Sequence, residues 1–338
     1  MTGSDRPAAG PGGAKLRTSA MIASLEAEGR PTVSAPFGHA LCRVAARRQE
    51  VVGMTADLGK YTDLHVFAEA FPDRFYQMGM AEQLLFSAAS GMAREGFTVF
   101  ATTYAVFASR RAYDFICMAI AEDNLDVKII GGLPGLTSGY GPSHQATEDL
   151  AIFRGMPNLT IVDPCDAVEM AQATAAIADH KGPVYMRLLR GRVPDVLGPY
   201  DYKFELGKAR LLRDGRDVLF VSTGIMTMRA LDAAARLAGE RIDCAVLHVP
   251  TIKPLDIETI LEAAGRSGRM VVVAENHTVV GGLGEAVARA LLSSGVAPTF
   301  RHIGLPDAFL DPGALPTLHD RYGLSVDKVC GAVKAWLG

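Results

Sequence analysis

The sequence has few of the residues that would indicate a metal centre, a disulfide framework or a membrane span. Its 338 residues include five cysteines, which lie far apart and form no Cys-x-x-Cys pair. That spacing disfavours a structural zinc site and a disulfide-stabilised fold. No apolar run approaches the ~18 residues of a membrane-spanning helix, and the N-terminus has no apolar signal core. We therefore expect a cytoplasmic protein with reduced thiols and no membrane association.

An excess of one charge is also absent. The chain has 34 Lys and Arg against 37 Asp and Glu, a net charge of −3, which provides no basic surface for nucleic acid. With 49% hydrophobic and 21% charged residues, the composition is that of a folded globular protein. The length is about twice that of a common domain, so we expect two domains.

The order of apolar segments predicts an α/β fold in which each domain has a central, mostly parallel sheet flanked by helices. Short β-branched runs alternate with amphipathic segments over residues 25–195 and again over 205–338. Residues 1–20 are rich in Gly, Pro and Ser and predict a disordered tail. Gly191–Tyr202 contains two prolines and two glycines, which predicts an interdomain linker over residues 196–204.

Individual elements follow from the same patterns. The predicted strands are Val51–Met54, Thr98–Ala101, Val127–Ile130, Thr160–Val162, Val184–Leu188, Asp217–Ser222, Cys244–His248 and Met270–Ala274. The predicted helices are Ala81–Arg94, Phe107–Ala121, Gln145–Ile152, Ala167–Ala178 with Asp166 as N-cap, Met226–Ala238, Ile257–Ala264 and Leu283–Leu292.

Glu82 is the first candidate for chemistry. It lies in the sequence GMAEQ, which opens a helix whose following residues, LLFSAASGMA, are apolar or small on nearly every face. A carboxylate in the first turn of such a helix is poorly solvated. Two interpretations remain open: Glu82 interacts with the helix dipole, or it is a desolvated carboxyl with a raised pKa that exchanges a proton with a ligand.

Two further candidate segments follow predicted strands, where ligand crevices form in open α/β sheets. Tyr104 and Phe107 could stack on a flat heterocycle or simply cover the core. The loop Gly131–His144 has five glycines and two prolines and is unusually long for a strand-to-helix connection. We expect its last residue, His144, to face a ligand near the start of a helix.

Two segments of the second domain are considered as further candidate sites, and neither is favoured. Gly281–Gly284 follows a strand and opens a helix but lacks the complete G-x-G-x-x-G spacing and the later acidic residue, which disfavours dinucleotide binding. Glu275–His277 is interpreted as a polar turn at the end of the preceding strand.

Taken together and in this order, the segments resemble the transketolase family. GMAEQ, TTYAVFASRRAYD, GPSHQATEDLAIFRGMPN, DPCDAVE and GPVYMRLLRG resemble its pyrimidine-binding domain, and STG, VPTIKPLD and AENHTVVGGLGEAV resemble its C-terminal domain. The resemblance covers residues 30–338. It implies thiamine diphosphate as the cofactor and transfer of a two-carbon ketol or acyl unit from a ketose or related donor to an aldehyde.

The resemblance also implies roles on the cofactor side. Glu82 corresponds to the carboxyl that hydrogen-bonds the cofactor's pyrimidine N1′ and promotes its deprotonating tautomer. Phe107 corresponds to the ring that stacks on the pyrimidine, with Tyr104 beside it. Asp57, in the sequence TADL, matches an acidic position near the cofactor pocket.

On the substrate side, His144 matches a residue that contacts the donor's oxygens, and Arg190 matches one that holds a substrate phosphate. Tyr140 lies in a loop one residue shorter than the family's and without its sugar-binding acid, so we count it as a substrate-binding candidate. Leu133 and Tyr61 replace a phosphate-contacting His and Ser. These departures weaken the case for an ordinary pentose phosphate donor, although Arg190 could still bind one anion.

One family motif is missing. Transketolases bind the diphosphate and Mg²⁺ through a Gly-Asp-Gly motif and a downstream Asn in a separate N-terminal domain, and this sequence contains no Gly-Asp-Gly. The resemblance therefore implies a split enzyme with no metal ligands on this chain. The partner is a large subunit that carries the motif and the Mg²⁺ ligands, and we expect an α2β2 assembly.

Other readings stay open within and outside this chemistry. The chain could be the β subunit of a 2-oxoacid dehydrogenase E1 component, or part of an enzyme similar to 1-deoxyxylulose-5-phosphate synthase. It could also be a non-catalytic assembly or regulatory subunit, although such a subunit would need none of Glu82, Phe107 and His144.

Overall fold

The two sheets predicted from the sequence are present in a computed structural model, which describes residues 30–266 and 268–338. The chain forms an α/β structure with two mostly parallel sheets flanked by helices, which confirms the predicted fold class. The predicted tail over residues 1–20 lies outside the described residues. No helix in the described part of the chain is long and apolar enough to cross a lipid bilayer.

The strands alternate with helices along most of the chain. The strands are β1 (Thr32–Ser34), β2 (Val51–Thr55), β3 (Phe75–Gln77), β4 (Thr98–Tyr104), β5 (Val127–Gly132), β6 (Thr160–Val162), β7 (Val184–Leu188), β8 (Arg192–Pro194), β9 (Arg210–Arg213), β10 (Val218–Ser222), β11 (Cys244–His248), β12 (Thr251–Lys253), β13 (Met270–Thr278) and β14 (Phe300–Leu305). The α-helices are α1 (Pro36–Ala45), α2 (His65–Ala70), α3 (Glu82–Arg94), α4 (Ala105–Arg111), α5 (Tyr113–Ile116), α6 (Asp149–Arg154), α7 (Ala167–Asp179), α8 (Ile225–Ala238), α9 (Ile257–Ala264), α10 (Leu283–Ser293), α11 (Leu315–Arg321) and α12 (Val326–Leu337).

The first sheet has seven strands in the order β12-β6-β7-β5-β4-β2-β3, and the second has five in the order β14-β13-β10-β11-β9. The central strands are buried along their whole length, for example β2, β5 and β7. Burial on both faces is why their sequences are nearly continuous apolar runs rather than alternating ones. Helices therefore cover both faces of each sheet.

The two units share a sheet edge. Strand β12 belongs to the second half of the chain, yet it pairs antiparallel with β6 at the edge of the first sheet, with Thr251 opposite Val162. The predicted linker region is also ordered: β8 pairs with β1, and the Tyr202 side chain is buried. The two halves are thus joined by backbone pairing as well as by side chains.

Three local predictions were wrong. A single helix over Phe107–Ala121 is replaced by α4, α5 and a π-helical turn over Cys117–Ala121. The break between α4 and α5 falls at Ala112, whose φ of −112° and ψ of 7° lie outside the helical region. The helix predicted over Gln145–Ile152 begins instead at Asp149, because Ala146 is extended and bridges to Gly135. His144 therefore precedes an extended segment rather than a helix.

The third wrong prediction is the turn at Glu275–His277. These residues lie inside β13 and are buried. The Glu275 carboxylate accepts from the backbone N–H groups of Leu283 at 2.7 Å and Gly284 at 2.8 Å. It thereby occupies the N-terminus of α10, the position where a dinucleotide phosphate would have to bind. A Cβ on Gly282 would lie 2.2 Å from Glu275, so packing accounts for that glycine.

Candidate active site

The candidate residues gather where parallel strands end. Asp57 follows β2, Tyr104 is the last residue of β4, Tyr140 and His144 lie in the loop after β5, and Arg190 follows β7. Because β2, β4, β5 and β7 are neighbours in the first sheet, their carboxyl ends meet at one edge. This edge is where open α/β sheets form ligand crevices.

Glu82 is the first residue of α3, and its side chain is 6% exposed. The apolar residues Leu85, Phe86 and Ala89 hold the same helix against the sheet. Its carboxylate lies 3.5 Å from Nη1 of Arg111. Among the described residues, no hydrogen bond involves the Glu82 side chain, so its oxygens are free to interact with a ligand.

The Arg111 guanidinium also lies over the Phe107 ring, 4.0 Å from its centroid. One flat cation therefore stacks on an aromatic face and at the same time reaches the Glu82 carboxylate. Arg111 is the last residue of α4, and its side chain is 56% exposed. The space in front of Phe107 and Glu82 thus accepts a flat group that carries N–H donors.

Three aromatic rings surround the His144 imidazole. Its centroid lies 5.5 Å from Phe107, 5.6 Å from Tyr140 and 6.1 Å from Tyr104. Nδ1 is 2.9 Å from the Ser143 hydroxyl. Partial burial and the nearby Arg111 charge lower the pKa of His144. The imidazole is therefore kept neutral near pH 7, so it can either donate or accept a hydrogen bond.

Arg190 lies near Tyr104; burial raises the pKa of Tyr104, and the Arg190 charge opposes that larger effect. Its guanidinium is 5.8 Å from the Tyr61 ring, and its Nε is buried without a hydrogen-bond partner. Beside it, the Asp63 carboxylate accepts from the Gly191 backbone N–H at 2.8 Å. Burial raises the pKa of Asp63, against the opposing effect of that hydrogen bond and of the Arg190 charge. The unsatisfied Nε indicates that Arg190 is arranged to bind a further acceptor.

Asp57 lies at the same edge of the sheet, but its hydrogen bonds go to Gln77 rather than to the other candidate residues. It is exposed, and it exchanges hydrogen bonds with Gln77: the Asp57 backbone N–H donates at 2.7 Å, and its carboxylate accepts at 3.2 Å. Within the described residues no contact links Asp57 to Glu82 or to the aromatic rings. Its φ of 57° instead fits a tight turn after β2, a conformation that Asp tolerates better than most residues.

The sequence reasoning missed Arg111 and two histidines near Arg190. His39 and His65 both act electrostatically on Asp63, and Nδ1 of His65 is buried without a partner. His39 lies far from Asp63 in the sequence, and a single histidine such as His65 on an amphipathic segment carries no signal of its own. Arg111 could have been found, since it lies one helical turn after Phe107.

Cys165, Glu169 and His248 form a buried cluster in which the potential metal-ligand atoms lie within 4.8 Å of one another. These atoms already have partners. Nε2 of His248 is 2.8 Å from Glu169, Nδ1 is 2.7 Å from the Thr227 hydroxyl, and the Tyr202 hydroxyl donates to Glu169. We interpret the cluster as a saturated hydrogen-bond network that joins the two halves of the chain rather than as a metal site.

Family models cover most of the chain. The model of the transketolase pyrimidine-binding domain matches residues 30–195, and that of the transketolase C-terminal domain matches residues 207–329. The transketolase family protein y4mN of Sinorhizobium fredii is 68% identical over 324 residues, which cover 96% of this chain and 94% of that protein. The 6-deoxy-6-sulfo-D-fructose transketolase subunit SqwH of a Clostridium species is 38% identical, with 86% and 90% covered.

Longer proteins match as well. 1-Deoxy-D-xylulose-5-phosphate synthase 1 of Geobacter sulfurreducens is 33% identical over 89% of this chain, which spans 47% of that enzyme. Among solved structures, a split-gene transketolase described as an inactive β4 tetramer superposes with a TM-score of 0.82 at 40% identity, covering 90% of this chain and 98% of that one. The motifs, the two matched domains and these relatives together establish that the chain belongs to the transketolase family.

Proposed function

We propose that this chain is the small subunit of a heteromeric, thiamine-diphosphate-dependent transferase, which moves a two-carbon ketol or acyl unit from a ketose or related donor to an aldehyde acceptor. In this proposal residues 25–195 are the pyrimidine-binding domain and residues 205–338 the C-terminal domain. The observation that carries the proposal is the Glu82 carboxylate, which is buried, makes no hydrogen bond within the described chain, and is linked to the Phe107 ring through Arg111, which contacts both.

The site fits the cofactor's aminopyrimidine. Arg111 occupies the space over Phe107 with a flat, nitrogen-bearing group that lies 3.5 Å from Glu82, and the aminopyrimidine is likewise a flat ring with nitrogen atoms at its edge. Bound thiamine diphosphate supplies the nucleophilic carbon for two-carbon transfer. In our assignment Glu82 shares a proton with the ring's N1′, and Phe107 and Tyr104 hold the ring plane. Arg111 must swing aside when the ring binds.

Two groups on the substrate side, His144 and Arg190, can contact opposite ends of the donor. The neutral His144 imidazole can hydrogen-bond the oxygens at the reacting end of the donor. Arg190, with its unpartnered Nε, can bind an anion at the other end. Tyr140 stands against His144 where transketolases carry an acid for a sugar hydroxyl, which favours a donor that is less hydroxylated at that position. A relative that acts on a sulfosugar, SqwH, is consistent with such a donor.

A partner chain would complete the enzyme. The sequence has no Gly-Asp-Gly motif, and the chain spans about half of the 1-deoxyxylulose-5-phosphate synthase but 90% of the SqwH subunit. These lengths support a large subunit that holds the diphosphate and Mg²⁺, in an α2β2 assembly. All five cysteines are unpaired, which supports a reducing compartment such as the cytoplasm.

One alternative reaction has a specific observation in its favour. The 33% identity to 1-deoxyxylulose-5-phosphate synthase is compatible with a donor that loses CO₂, such as pyruvate. Incubation of the assembled enzyme with pyruvate and an aldehyde would then consume pyruvate. A ketose or sulfoketose donor would instead be consumed without CO₂ release. An E1-type β subunit would require an electron acceptor, and a purely regulatory subunit would tolerate loss of Glu82.

Calorimetry on the reconstituted pair tests the proposal. We expect thiamine diphosphate to bind tightly, with Mg²⁺, to the complex of this chain with its large subunit, and not to this chain alone. The Glu82→Gln variant should assemble normally and lose transfer activity by about two orders of magnitude or more. Glu95→Gln, at the exposed far end of the same helix, is the matched control. Full activity of Glu82→Gln would refute the assigned role.

A further inference from the structure

A second cleft lies between the two halves of the chain, apart from the candidate active site. It has a volume of about 330 Å³ and is bounded by the end of α6, by β12 and by one side of α10. Three basic side chains line it, one from each of these elements: Arg154, Lys253 and Arg289. None of its lining residues belongs to the group around Glu82, His144 and Arg190.

The positive charges in the cleft are not neutralised by salt bridges. Nη1 of Arg154 donates to the Gly281 and Gly282 carbonyls, and Nζ of Lys253 donates to the carbonyls of Arg154 and Met156. All four acceptors are uncharged. Within residues 30–266 and 268–338, no ion pair joins a carboxylate to any of the three cations.

Donors are left over in the cleft. Arg289 makes no hydrogen bond with the described residues, so its five N–H donors are available. In Arg154 only Nη1 is hydrogen-bonded within the described part of the chain, so Nε and Nη2 are further donors. Burial lowers the pKa of Arg154 and of Lys253; the charges of Glu275 and Glu285 oppose this effect on Arg154, and the Arg154 charge adds to it on Lys253. The three cations outnumber these two carboxylates, and unused donors remain.

We propose that this cleft binds a small organic dianion of the phosphate-ester class. Arg289 and Arg154 supply the paired N–H donors that suit a phosphate group, and Lys253 adds a point charge. Ile252, Leu255 and Ala290 provide apolar walls that accommodate a short carbon skeleton. The volume is at the lower end of the range for small-molecule sites, which limits the ligand to a few carbons and one or two phosphates.

A ligand bound in this cleft would be coupled to the active site through helix α6. Arg154 is the last residue of α6, and α6 begins five residues after His144. The Arg154 guanidinium ties this helix to the Gly281–Gly282 turn, where a Cβ on Gly281 would lie 2.5 Å from Ala151. An anion bound at Arg154 and Arg289 would bridge α6 to α10 and hold the segment that carries His144.

Pyrophosphate and inorganic phosphate, titrated into the full chain at low ionic strength and followed by calorimetry and by thermal unfolding, test the proposal. We expect pyrophosphate to raise the melting temperature of the wild type and to bind Arg289→Ala about tenfold more weakly, because a charge-assisted hydrogen-bond pair is lost. Arg301→Ala removes an exposed arginine of β14, outside the cleft, and should leave binding unchanged. Arg289 is exposed in α10, so its substitution leaves the fold intact.

Arg190→Ala separates this cleft from the substrate-side arginine. If pyrophosphate binds the Arg289→Ala and wild-type chains equally, or if only Arg190→Ala abolishes binding, the cleft is not an anion site and the proposal fails. An equal loss in Arg301→Ala would mean that binding is unspecific charge attraction, which also overturns it. None of these outcomes depends on the partner subunit or on transfer activity.

Discussion

The Arg111 guanidinium lies 3.5 Å from the Glu82 carboxylate and stacks over the Phe107 ring, which we propose to pack against the cofactor. Both residues lie at or near helix termini, Glu82 at the start of α3 and Arg111 at the end of α4. Helix ends favour these signs of charge, acidic at the N-terminus and basic at the C-terminus. The contact therefore serves local helix stability as well as the charge balance of a site that is open to a ligand.

Arg111 also influences His144, and this gives the first prediction. Burial and the Arg111 charge both lower the pKa of His144. In Arg111→Ala the pKa of His144 should rise toward its ordinary value, so the imidazole would become protonated at a higher pH than in the wild type. Chemical shifts of labelled histidine, followed by NMR during a pH titration, measure this directly. Arg94→Ala, at the other end of α3, is the control, and an unchanged His144 pKa in Arg111→Ala would contradict the assignment.

Tyr140 gives the second prediction. Its ring packs edge-on against His144 at 5.6 Å, in the loop position where transketolases carry an acid. Replacing it by Asp should raise the preference of the assembled enzyme for a hydroxylated ketose phosphate, relative to its native donor, by about tenfold, because the new carboxylate can accept from a sugar hydroxyl. The ratio of kcat/KM values for the two donors is the readout. Tyr140→Phe keeps the ring and should leave that ratio unchanged; a similar ratio in all three proteins would count against a role in specificity.

The third prediction concerns the network that joins the two halves. Glu169 accepts hydrogen bonds from His248, Tyr202 and the Cys165 backbone N–H, all buried. Glu169→Gln introduces an amide N–H₂ where only donors face it, so we expect a loss of about 2 to 4 kcal/mol in the free energy of unfolding. Urea unfolding followed by circular dichroism measures the loss.

Two milder variants provide the comparison. Tyr202→Phe removes one donor only and should lose about 1 kcal/mol. Asp327→Asn removes the partner of Arg236 in an exposed ion pair and should change stability by less than about 0.5 kcal/mol. If Glu169→Gln were as mild as Asp327→Asn, the network would not be a structural link between the halves.

Much of the fold could be predicted because the buried strands are continuous apolar runs. The bounds of β6, β7, β11 and α9 agree with the sequence prediction residue for residue. The Asp166 N-cap is also confirmed, since its side chain accepts from the Glu169 N–H. In these segments the local pattern and the tertiary environment favour the same structure.

The predictions failed where tertiary contacts override local pattern. Glu275 looked like a turn residue because a charge inside a central strand is unfavourable unless it is paired. Its partners, His302 at 2.8 Å and the N-terminus of α10, come later in the chain. The Glu169–His248 pair is separated by 79 positions. The three basic residues of the cleft, Arg154, Lys253 and Arg289, come from three different elements. Such groupings leave no periodic signal in a sequence.

The last prediction uses Lys128, which is buried in β5 and donates to the carbonyls of His180 at 2.7 Å and Gly182 at 2.8 Å, beside Asp126. Burial lowers the pKa of Lys128 from 10.5 to about 8, against the opposing effect of Asp126. The folded protein therefore loses this proton at a lower pH than the unfolded chain. Between pH 8 and 10.5 the unfolded state binds more protons, so this group makes stability rise with pH, by up to about 1.4 kcal/mol per pH unit.

Lys128→Met lacks this titration. The difference in unfolding free energy between wild type and Lys128→Met should therefore grow in favour of the wild type as the pH rises from 8 toward 10.5. Urea unfolding of both proteins across that range measures the difference, and subtraction cancels the titration of the tyrosines and cysteines that they share. Lys334→Met, which removes an exposed lysine paired with Glu240, should show no such trend. A difference that stays constant with pH would mean that Lys128 keeps its proton in the folded protein, because the Asp126 carboxylate and the two carbonyls then compensate its burial.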